Sequence, residues 1–274
     1  MMMTHNKANK SKILTLILGL TACLALMLGI ATASPTFAVY AEGGTGTGAT
    51  GGLIIDGAGD ITADGTYAYS AAGKTLMLNG YNGGVIRFTA DNDVTVNLEN
   101  GSANTITLSD GAVTENQYGV YAAGNLTVTG KGTLDINMDI SGSGDEITTE
   151  YGKALYGLYA KSLTVNGEIN VNVNLISNGF SCGMFATKDI TVADKANVDV
   201  KCRSKYKNTN FYSPNKVVYG IYSENGDIKL SGTGTKNIEH TCPVDFAQAK
   251  EAKGVYAQND REKGGGKICA SDFG

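Results

Sequence analysis

Aromatic side chains recur at nearly regular intervals in this sequence and are its best candidates for contacting a ligand. They belong to a short pattern, Gly–aliphatic–aromatic, that occurs five times with its glycines 38, 26, 37 and 34 residues apart. Aromatic rings bury a large apolar surface, so a row of them is a candidate platform for a polysaccharide chain. The aromatic residues of the pattern are Tyr121, Tyr159, Phe185, Tyr222 and Tyr256.

A row of similar side chains also stabilises neighbouring strands without binding anything. This structural interpretation is the alternative for the same five residues, and the absence of tryptophan from the chain favours it. A degenerate earlier copy of the pattern begins at Gly84, 35 residues before Gly119.

The elements that position these residues are predicted to be β-strands. Two further segments follow each copy of the pattern, and in them aliphatic residues alternate with polar ones, as in residues 163–165 and 169–175. This alternation is typical of half-buried strands. Three strands per repeat, with repeats of 20 to 50 residues, predict an all-β right-handed parallel β-helix of about six coils.

The alternation also predicts which way the aromatic side chains point. Their aliphatic neighbours, such as Val120, are expected inside, which places the aromatic row on the outside of one sheet. Residues in excess of the repeat all fall between the third strand of one coil and the first strand of the next. Insertions at one corner of a solenoid often form its binding side. They add Tyr151 and Tyr212 as candidate ligand-binding residues, with tolerated surface insertions as the alternative.

Acidic side chains are candidates for a cation site. Asp91 and Asp93 lie at a predicted turn, and Asp135 and Asp139 lie in an outward polar row that continues as asparagines in the next coil. Ca²⁺ takes six to eight oxygen ligands, so these four carboxylates are its candidate ligands and Ca²⁺ is the candidate cofactor. The alternative is a ladder of asparagine side chains that hydrogen-bond to one another.

Histidine and cysteine give little support to catalysis. His240 is the only histidine beyond residue 41 and is expected to face inward beside Cys242. Alignment of the third strands places Cys202 and Cys242 at the same inward position of successive coils, where parallel Cβ vectors favour stacked thiols over a disulfide. No base with neighbouring cations and no defined carboxylate pair is evident. We therefore predict that the chain is not an enzyme.

The first 41 residues have the pattern of a secretory signal peptide. Three lysines precede an apolar run from Ile13 to about Thr32, and small-residue sites follow at 31–33 and 39–41. The run is also long enough for an uncleaved membrane anchor, and the segment ending at Cys23 resembles a lipoprotein box.

Two further regions follow the predicted signal. Residues 42–52 form a predicted flexible linker, and residues 53–274 form the β-helix domain. A last coil is predicted to begin at residue 253, but too few residues follow in the sequence to complete it. The domain is therefore expected either to be truncated at its C-terminus or to be covered by a partner there.

Charge limits the partners of the exported domain. Residues 1–41 contain three lysines and no acidic residue, so their removal changes the formal net charge from −4 to −7. An acidic domain is a poor partner for nucleic acid or an anionic membrane surface. We expect an extracellular or cell-surface protein whose partner is a polysaccharide or cell-wall glycan. Membrane contact is expected only through the N-terminal apolar segment, where that segment is not cleaved.

Three segments carry a resemblance to a known family. They are KTLMLNG at 74–80, DVTVNL at 93–98 and YGVYAAGNLTVTGKGTLDI at 118–136. They resemble exported pectate-lyase-like right-handed β-helix proteins of Gram-positive bacteria, which are often described as carbohydrate-binding domain proteins. The similarity covers about residues 53–260. It implies a non-catalytic polysaccharide-binding protein, sometimes with Ca²⁺; the Gly-His-Gly and Arg-Ile-Lys motifs usual in β-helix pectin hydrolases are absent.

The sequence therefore predicts a secreted or cell-surface, adhesin-like protein that binds polysaccharide without catalysis. A surface stalk that binds no ligand is the structural alternative. A polysaccharide lyase is the enzymatic alternative.

Overall fold

A computed structural model describes residues 52–63, 65–109, 116–141, 154–177, 180–204, 218–241, 252–257 and 268–270. The chain divides into two units, Met1–Ala38 and Val39–Gly274, and every described residue belongs to the second. The predicted signal peptide and nearly all of the predicted linker lie outside the described residues. Among the residues that are described, none belongs to a helix that could span a membrane.

The described residues form three β-sheets, in each of which the strands lie side by side in the following order. Sheet A contains β1 (Leu53–Ile55), β6 (Ile86–Phe88), β9 (Gln117–Ala122), β12 (Leu155–Ala160), β15 (Ser181–Ala186), β18 (Val218–Ser223) and β21 (Ala252–Ala257). Sheet B contains β2 (Ile61–Ala63), β3 (Tyr67–Ser70), β4 (Thr75–Leu78), β7 (Val94–Leu98), β10 (Leu126–Gly130), β13 (Leu163–Val165), β16 (Ile190–Val192), β19 (Ile228–Leu230) and β22 (Ile268–Ala270). Sheet C contains β20 (Lys236–Thr241), β17 (Asn197–Ser204), β14 (Asn170–Ser177), β11 (Thr133–Asp139), β8 (Ala103–Ser109) and β5 (Asn82–Gly83).

Successive strands enter the three sheets in a fixed rotation. From β6 to β22 the chain places one strand in sheet A, the next in sheet B and the next in sheet C, and then begins again. Each of these strands pairs in parallel with its counterpart in the adjacent repeat. The antiparallel pairings are β2 with β3 and β3 with β4, at one end of sheet B. The prediction of an all-β domain with parallel sheets is confirmed.

The core consists of aliphatic side chains that repeat from strand to strand. In sheet B, for example, equivalent positions in β10, β13, β16 and β19 hold buried leucine or isoleucine. Each such side chain removed from water stabilises the fold by about 1.5 to 3 kcal/mol. These residues are Leu126, Leu163, Ile190 and Ile228. The alternation of the sequence therefore predicts correctly which residues face inward in sheets B and C.

The glycine of the repeated pattern lies where sheet A packs tightly against sheet C. A Cβ atom placed on Gly119 would lie 2.5 Å from Cγ2 of Ile136, in sheet C, and 2.7 Å from the carbonyl oxygen of Gly157. The equivalent atom on Gly157 would overlap Cγ1 of Val173 and lie 2.5 Å from the carbonyl oxygen of Gly183. No side chain fits in this gap, which explains why glycine recurs at this position of the pattern.

Two sequence-based alignments are wrong by a small shift. In β6, Ile86 pairs with Val120 and Arg87 with Tyr121, so the predicted alignment of Gly84 with Gly119 is displaced by one residue. In β20, His240 pairs with Cys202, which is the position predicted for Cys242. Cys242 itself lies outside the described residues. An alternating pattern determines which face a residue occupies, but a shift of two residues preserves the face and changes the register.

Candidate ligand-binding surface

The predicted aromatic row lies in register across four strands of sheet A. Tyr121, Tyr159, Phe185 and Tyr222 are directly paired along β9, β12, β15 and β18. The aliphatic residue that precedes each of them is fully buried, whereas the three tyrosines remain partly exposed. The backbone of Tyr256 continues the row in β21, but its side chain lies outside the described part of the chain. The predicted outward direction is therefore confirmed for the four described side chains.

The predicted row forms one column of aromatic side chains, which we call the first column. A second aromatic column lies beside it and was not predicted. Tyr118 and Tyr156 are paired on β9 and β12, and Tyr219 takes the equivalent place on β18. Strict alternation would put Tyr118 and Tyr121 on opposite faces of the sheet. Both face outward because Gly119 and Val120 are both buried between them. The only sequence signal for this column is that tyrosine recurs three residues before the predicted aromatic position.

The second column is completed at β15 by a residue from outside the strand pattern. The strand position there belongs to Cys182, which is fully buried. The ring of Phe180 lies next to it, with its centroid 5.4 Å from that of Tyr156 and 5.9 Å from that of Tyr219. Burial raises the pKa of the Cys182 thiol well above its usual range, so this thiol stays protonated and is a poor nucleophile.

Rings of the first column, and the first two rings of the second, stack with nearly parallel planes, whereas Phe180 is tilted against both of its neighbours in the second column. The centroids of Tyr121 and Tyr159 are 5.4 Å apart with planes at 17°, and those of Tyr159 and Phe185 are 4.8 Å apart at 8°. Phe185 and Tyr222 follow at 5.3 Å and 15°. The two rings of Tyr118 and Tyr156 stack in the same way, at 5.2 Å and 9°. These spacings follow the separation of about 4.8 Å between neighbouring strands.

The ring contacts between the two columns from β9 to β15 are edge to face, whereas Tyr219 and Tyr222 on β18 are tilted at 41°. Tyr118 lies 5.1 Å from Tyr159 with planes at 76°, and Tyr156 lies 5.2 Å from Tyr159 at 80°. This alternation of parallel and near-perpendicular contacts is the arrangement that aromatic quadrupoles favour. We call the set the herringbone surface. It comprises Tyr118, Tyr121, Tyr156, Tyr159, Phe180, Phe185, Tyr219 and Tyr222.

The herringbone surface therefore differs from the row of free ring faces that the sequence indicated. Each inner ring has its faces covered by the rings of its neighbours. What such a ring offers to a ligand is its edge and, for tyrosine, its hydroxyl group. Tyrosine combines an apolar body with a polar tip, so the surface can contact both the C–H groups and the hydroxyl groups of a sugar chain.

Arg87 lies at the β6 end of this surface. Its guanidinium carbon is 5.6 Å from the ring centroid of Tyr121 and 6.0 Å from that of Tyr118. A guanidinium over aromatic rings is stabilised by the ring quadrupole. The ion pairs found among the described residues involve other side chains, so Arg87 supplies a positive charge at this end of the surface.

Burial within the herringbone surface raises the pKa of the phenols of Tyr156 and Tyr159 above 10. In the unfolded chain these phenols ionise near pH 10, so above that pH the unfolded state releases protons first. The contribution of these phenols to the free energy of unfolding is therefore expected to be fully present below about pH 10 and to be lost as the pH rises further. A spectrophotometric titration should show a late-ionising class of tyrosines that Tyr156→Phe diminishes. A single class that ionises near pH 10 would contradict this assignment.

The structure does not bring the candidate Ca²⁺ ligands together. Asp135 and Asp139 lie on β11 in sheet C, whereas Asp91 and Asp93 precede β7 in sheet B. Asp139 accepts a hydrogen bond from the backbone N–H of Ser141 at 2.9 Å. Within the described ranges no three His, Cys, Asp or Glu side chains are grouped as metal ligands.

The polar row on sheet C instead forms a hydrogen-bonded ladder. The side-chain amide of Asn172 donates to Asp135 at 2.7 Å. In the neighbouring column, Asn197 donates to Asn170 at 2.8 Å, and Asn170 donates to Thr133 at 3.3 Å. These contacts confirm the side-chain ladder that was the alternative to a cation site for Asp135.

The remaining candidates lie in the predicted insertions. The chain between β11 and β12 includes Tyr151, and the chain between β17 and β18 includes Tyr212. Both residues lie outside the described part of the chain, so their role stays a prediction. Both insertions connect a strand of sheet C to a strand of sheet A, which is the corner predicted from the sequence.

Comparison with known proteins gives no assignment. No family model matches the chain, and neither a curated protein nor a solved structure matches it. Any functional assignment therefore depends on the herringbone surface itself.

Proposed function

We propose that the three sheets wind as a right-handed parallel β-helix, and that the chain is a secreted or cell-surface protein that binds a polysaccharide along the herringbone surface without catalysis. The rotation of successive strands through sheets A, B and C supports this winding. Right-handed connections between parallel strands are strongly preferred. The pattern of residues 1–41 supports export.

The observation that carries the binding proposal is the pair of aromatic columns across β9, β12, β15 and β18. The columns run across the strands, so their length grows by about 4.8 Å with each repeat. A ligand that follows them must itself be extended, which a polysaccharide is. Six of the eight members are tyrosines, and all of these except Tyr219 are partly exposed, so they offer hydroxyl groups on β9, β12 and β18 but not on β15.

A ligand-free stalk is the alternative that one observation favours. The ring faces pack against one another, and stacking of this kind stabilises neighbouring strands by itself. The two proposals differ in one respect. A stalk needs the rings but has no use for the tyrosine hydroxyls and exposed edges, whereas a binding surface needs both.

Retention on insoluble polysaccharides tests the proposal. The full chain is expected to be retained by at least one member of a panel of neutral and acidic polysaccharides. Replacement of Tyr159 and Tyr222 by alanine should weaken retention about tenfold or more, because each lost aromatic contact is worth roughly 0.5 to 1.5 kcal/mol. Asn137→Ala, on the exposed face of sheet C, is the matched control and should be retained like the wild type.

Three results of the same assay would redirect the proposal. Lack of retention across the panel contradicts polysaccharide binding and leaves the stalk. Unsaturated products that absorb in the ultraviolet would indicate a lyase. Retention that a chelator abolishes would indicate a role for Ca²⁺.

A further inference from the structure

Four tyrosines on two adjacent strands form the densest phenol cluster among the described residues. Tyr118 and Tyr121 lie on β9, and Tyr156 and Tyr159 lie on β12. Ring centroids joined across the two strands are 5.1 to 5.4 Å apart. All four side chains are partly exposed, so an oxidant outside the chain can reach them.

We propose that this four-tyrosine cluster is a site of oxidative cross-linking, at which a tyrosine of β9 and a tyrosine of β12 become joined as dityrosine. The oxidant is a one-electron oxidant generated from hydrogen peroxide, such as the oxidised haem of a peroxidase. This modification is independent of polysaccharide binding. It joins two neighbouring repeats covalently through their side chains.

The coupling is a two-electron oxidation of the chain. Each of two phenols loses one electron and one proton and becomes a phenoxyl radical. The radicals couple by forming a carbon–carbon bond between ring carbons ortho to the oxygens, and the hydrogens on those carbons then move to the oxygens. The chain loses two hydrogen atoms in total, and one molecule of hydrogen peroxide is reduced to two molecules of water.

The geometry favours coupling within the chain. A radical formed on any of the four rings already has another phenol in contact, so no second molecule is needed. The edge-to-face contact of Tyr118 with Tyr159, at 5.1 Å and 76°, places a ring edge of one strand against a ring of the other. The χ2 torsion of tyrosine is broad, which lets two edges turn towards each other. Tryptophan, which competes with tyrosine as a site of oxidation, is absent from the chain.

The cluster has a natural boundary at β15. Phe185 follows Tyr159 in the first column, and it has no hydroxyl group to form a phenoxyl radical. The next phenol of that column, Tyr222, stacks on the far side of Phe185. Coupling is therefore expected between β9 and β12 and not between β12 and β18.

A second tyrosine pair of the same chain provides an internal comparison. Tyr67 and Tyr81 meet edge to face at 5.8 Å. Tyr81 is only 5% exposed, and its hydroxyl donates a hydrogen bond to the carbonyl oxygen of Gly84 at 2.9 Å. This buried, hydrogen-bonded phenol is expected to be left unmodified under conditions that oxidise the four-tyrosine cluster.

The test treats the dilute full chain with hydrogen peroxide and a haem peroxidase. The monomer is expected to gain dityrosine fluorescence and to lose the mass of two hydrogen atoms. Trypsin cleaves after lysine and arginine, so the cross-link should join the peptide of residues 88–131 to the peptide of residues 154–161. The double substitution Tyr156→Phe with Tyr159→Phe keeps both rings but removes both phenols from β12. It should reduce this linked pair at least tenfold, whereas Tyr67→Phe should leave it unchanged.

Three results would overturn the proposal. The first is dityrosine that occurs only in covalent dimers, because this would indicate coupling between exposed tyrosines of different molecules. The second is a cross-link between other peptides of the monomer. The third is an unchanged yield of the linked pair in the double phenylalanine variant. Thermal unfolding of that variant, compared with the wild type, shows whether the packing of the rings is preserved.

Discussion

Gly157→Ala is expected to lower the free energy of unfolding by about 3 kcal/mol, the upper end of the usual cost of overpacking. The new methyl group would overlap Cγ1 of Val173 in sheet C and lie 2.5 Å from the carbonyl oxygen of Gly183 in the adjacent strand. Val173 is 1% exposed and has no free volume to enter. The backbone at Gly183 could retreat only by disturbing its own parallel pairing.

Urea denaturation of matched variants measures this effect. Gly73→Ala is the control, because a Cβ atom there would meet its nearest neighbour, Oγ of Ser70, at an ordinary 3.5 Å. The free energy of unfolding of the control should stay within about 0.5 kcal/mol of the wild-type value. If Gly157→Ala lowered the free energy of unfolding no more than Gly73→Ala does, this would contradict the tight packing of sheet A against sheet C at the repeat glycine.

Tyr156→Ala is expected to lower the free energy of unfolding by a similar amount, about 3 kcal/mol. Here the cause is lost packing, whereas Gly157→Ala acts by overpacking. Tyr156 contacts four other rings at centroid distances of 5.2 to 5.4 Å. Its removal leaves a gap in the herringbone surface that these neighbours cannot close while they remain attached to paired strands. Each lost ring contact adds roughly 0.5 to 1.5 kcal/mol to the loss of buried area.

Tyr156→Phe separates the ring from its hydroxyl group. The phenylalanine keeps the stacked and edge contacts, so the free energy of unfolding of this variant should stay within about 1 kcal/mol of the wild-type value. Thermal or urea unfolding of the two variants provides the comparison. Equal destabilisation by alanine and phenylalanine would show that ring packing is not what holds this surface together.

The all-β architecture with parallel sheets was predictable because apolar burial and strand alternation act locally. Leu163, Val165 and Val171 are buried as the alternation requires, and a repeat of about 35 residues leaves parallel stacking as the way to bury such short strands. Register was less predictable, because the alternating pattern of β20 is satisfied equally well by two shifts. The structure selects the shift that pairs Cys202 with His240.

The candidate surface was only half predictable. Tyr159 and its counterparts follow from alternation, but Tyr156 does not, because Gly157 and Leu158 both face inward and break the period of two. Phe180 was also unpredictable, since it lies outside the repeated pattern and fills the space beside the small Cys182 side chain. Ring orientation depends on contacts between strands, which no local pattern encodes.

The most direct test of polysaccharide binding follows tyrosine ring signals by NMR during titration with soluble fragments of a polysaccharide that retains the chain. We predict that signals of Tyr118, Tyr121, Tyr156, Tyr159 and Tyr222 shift together as the ligand is added. The signals of Tyr67 and Tyr81, which lie outside the herringbone surface, should stay in place. Shifts confined to other tyrosines, or no shift with any fragment, would contradict polysaccharide binding at this surface.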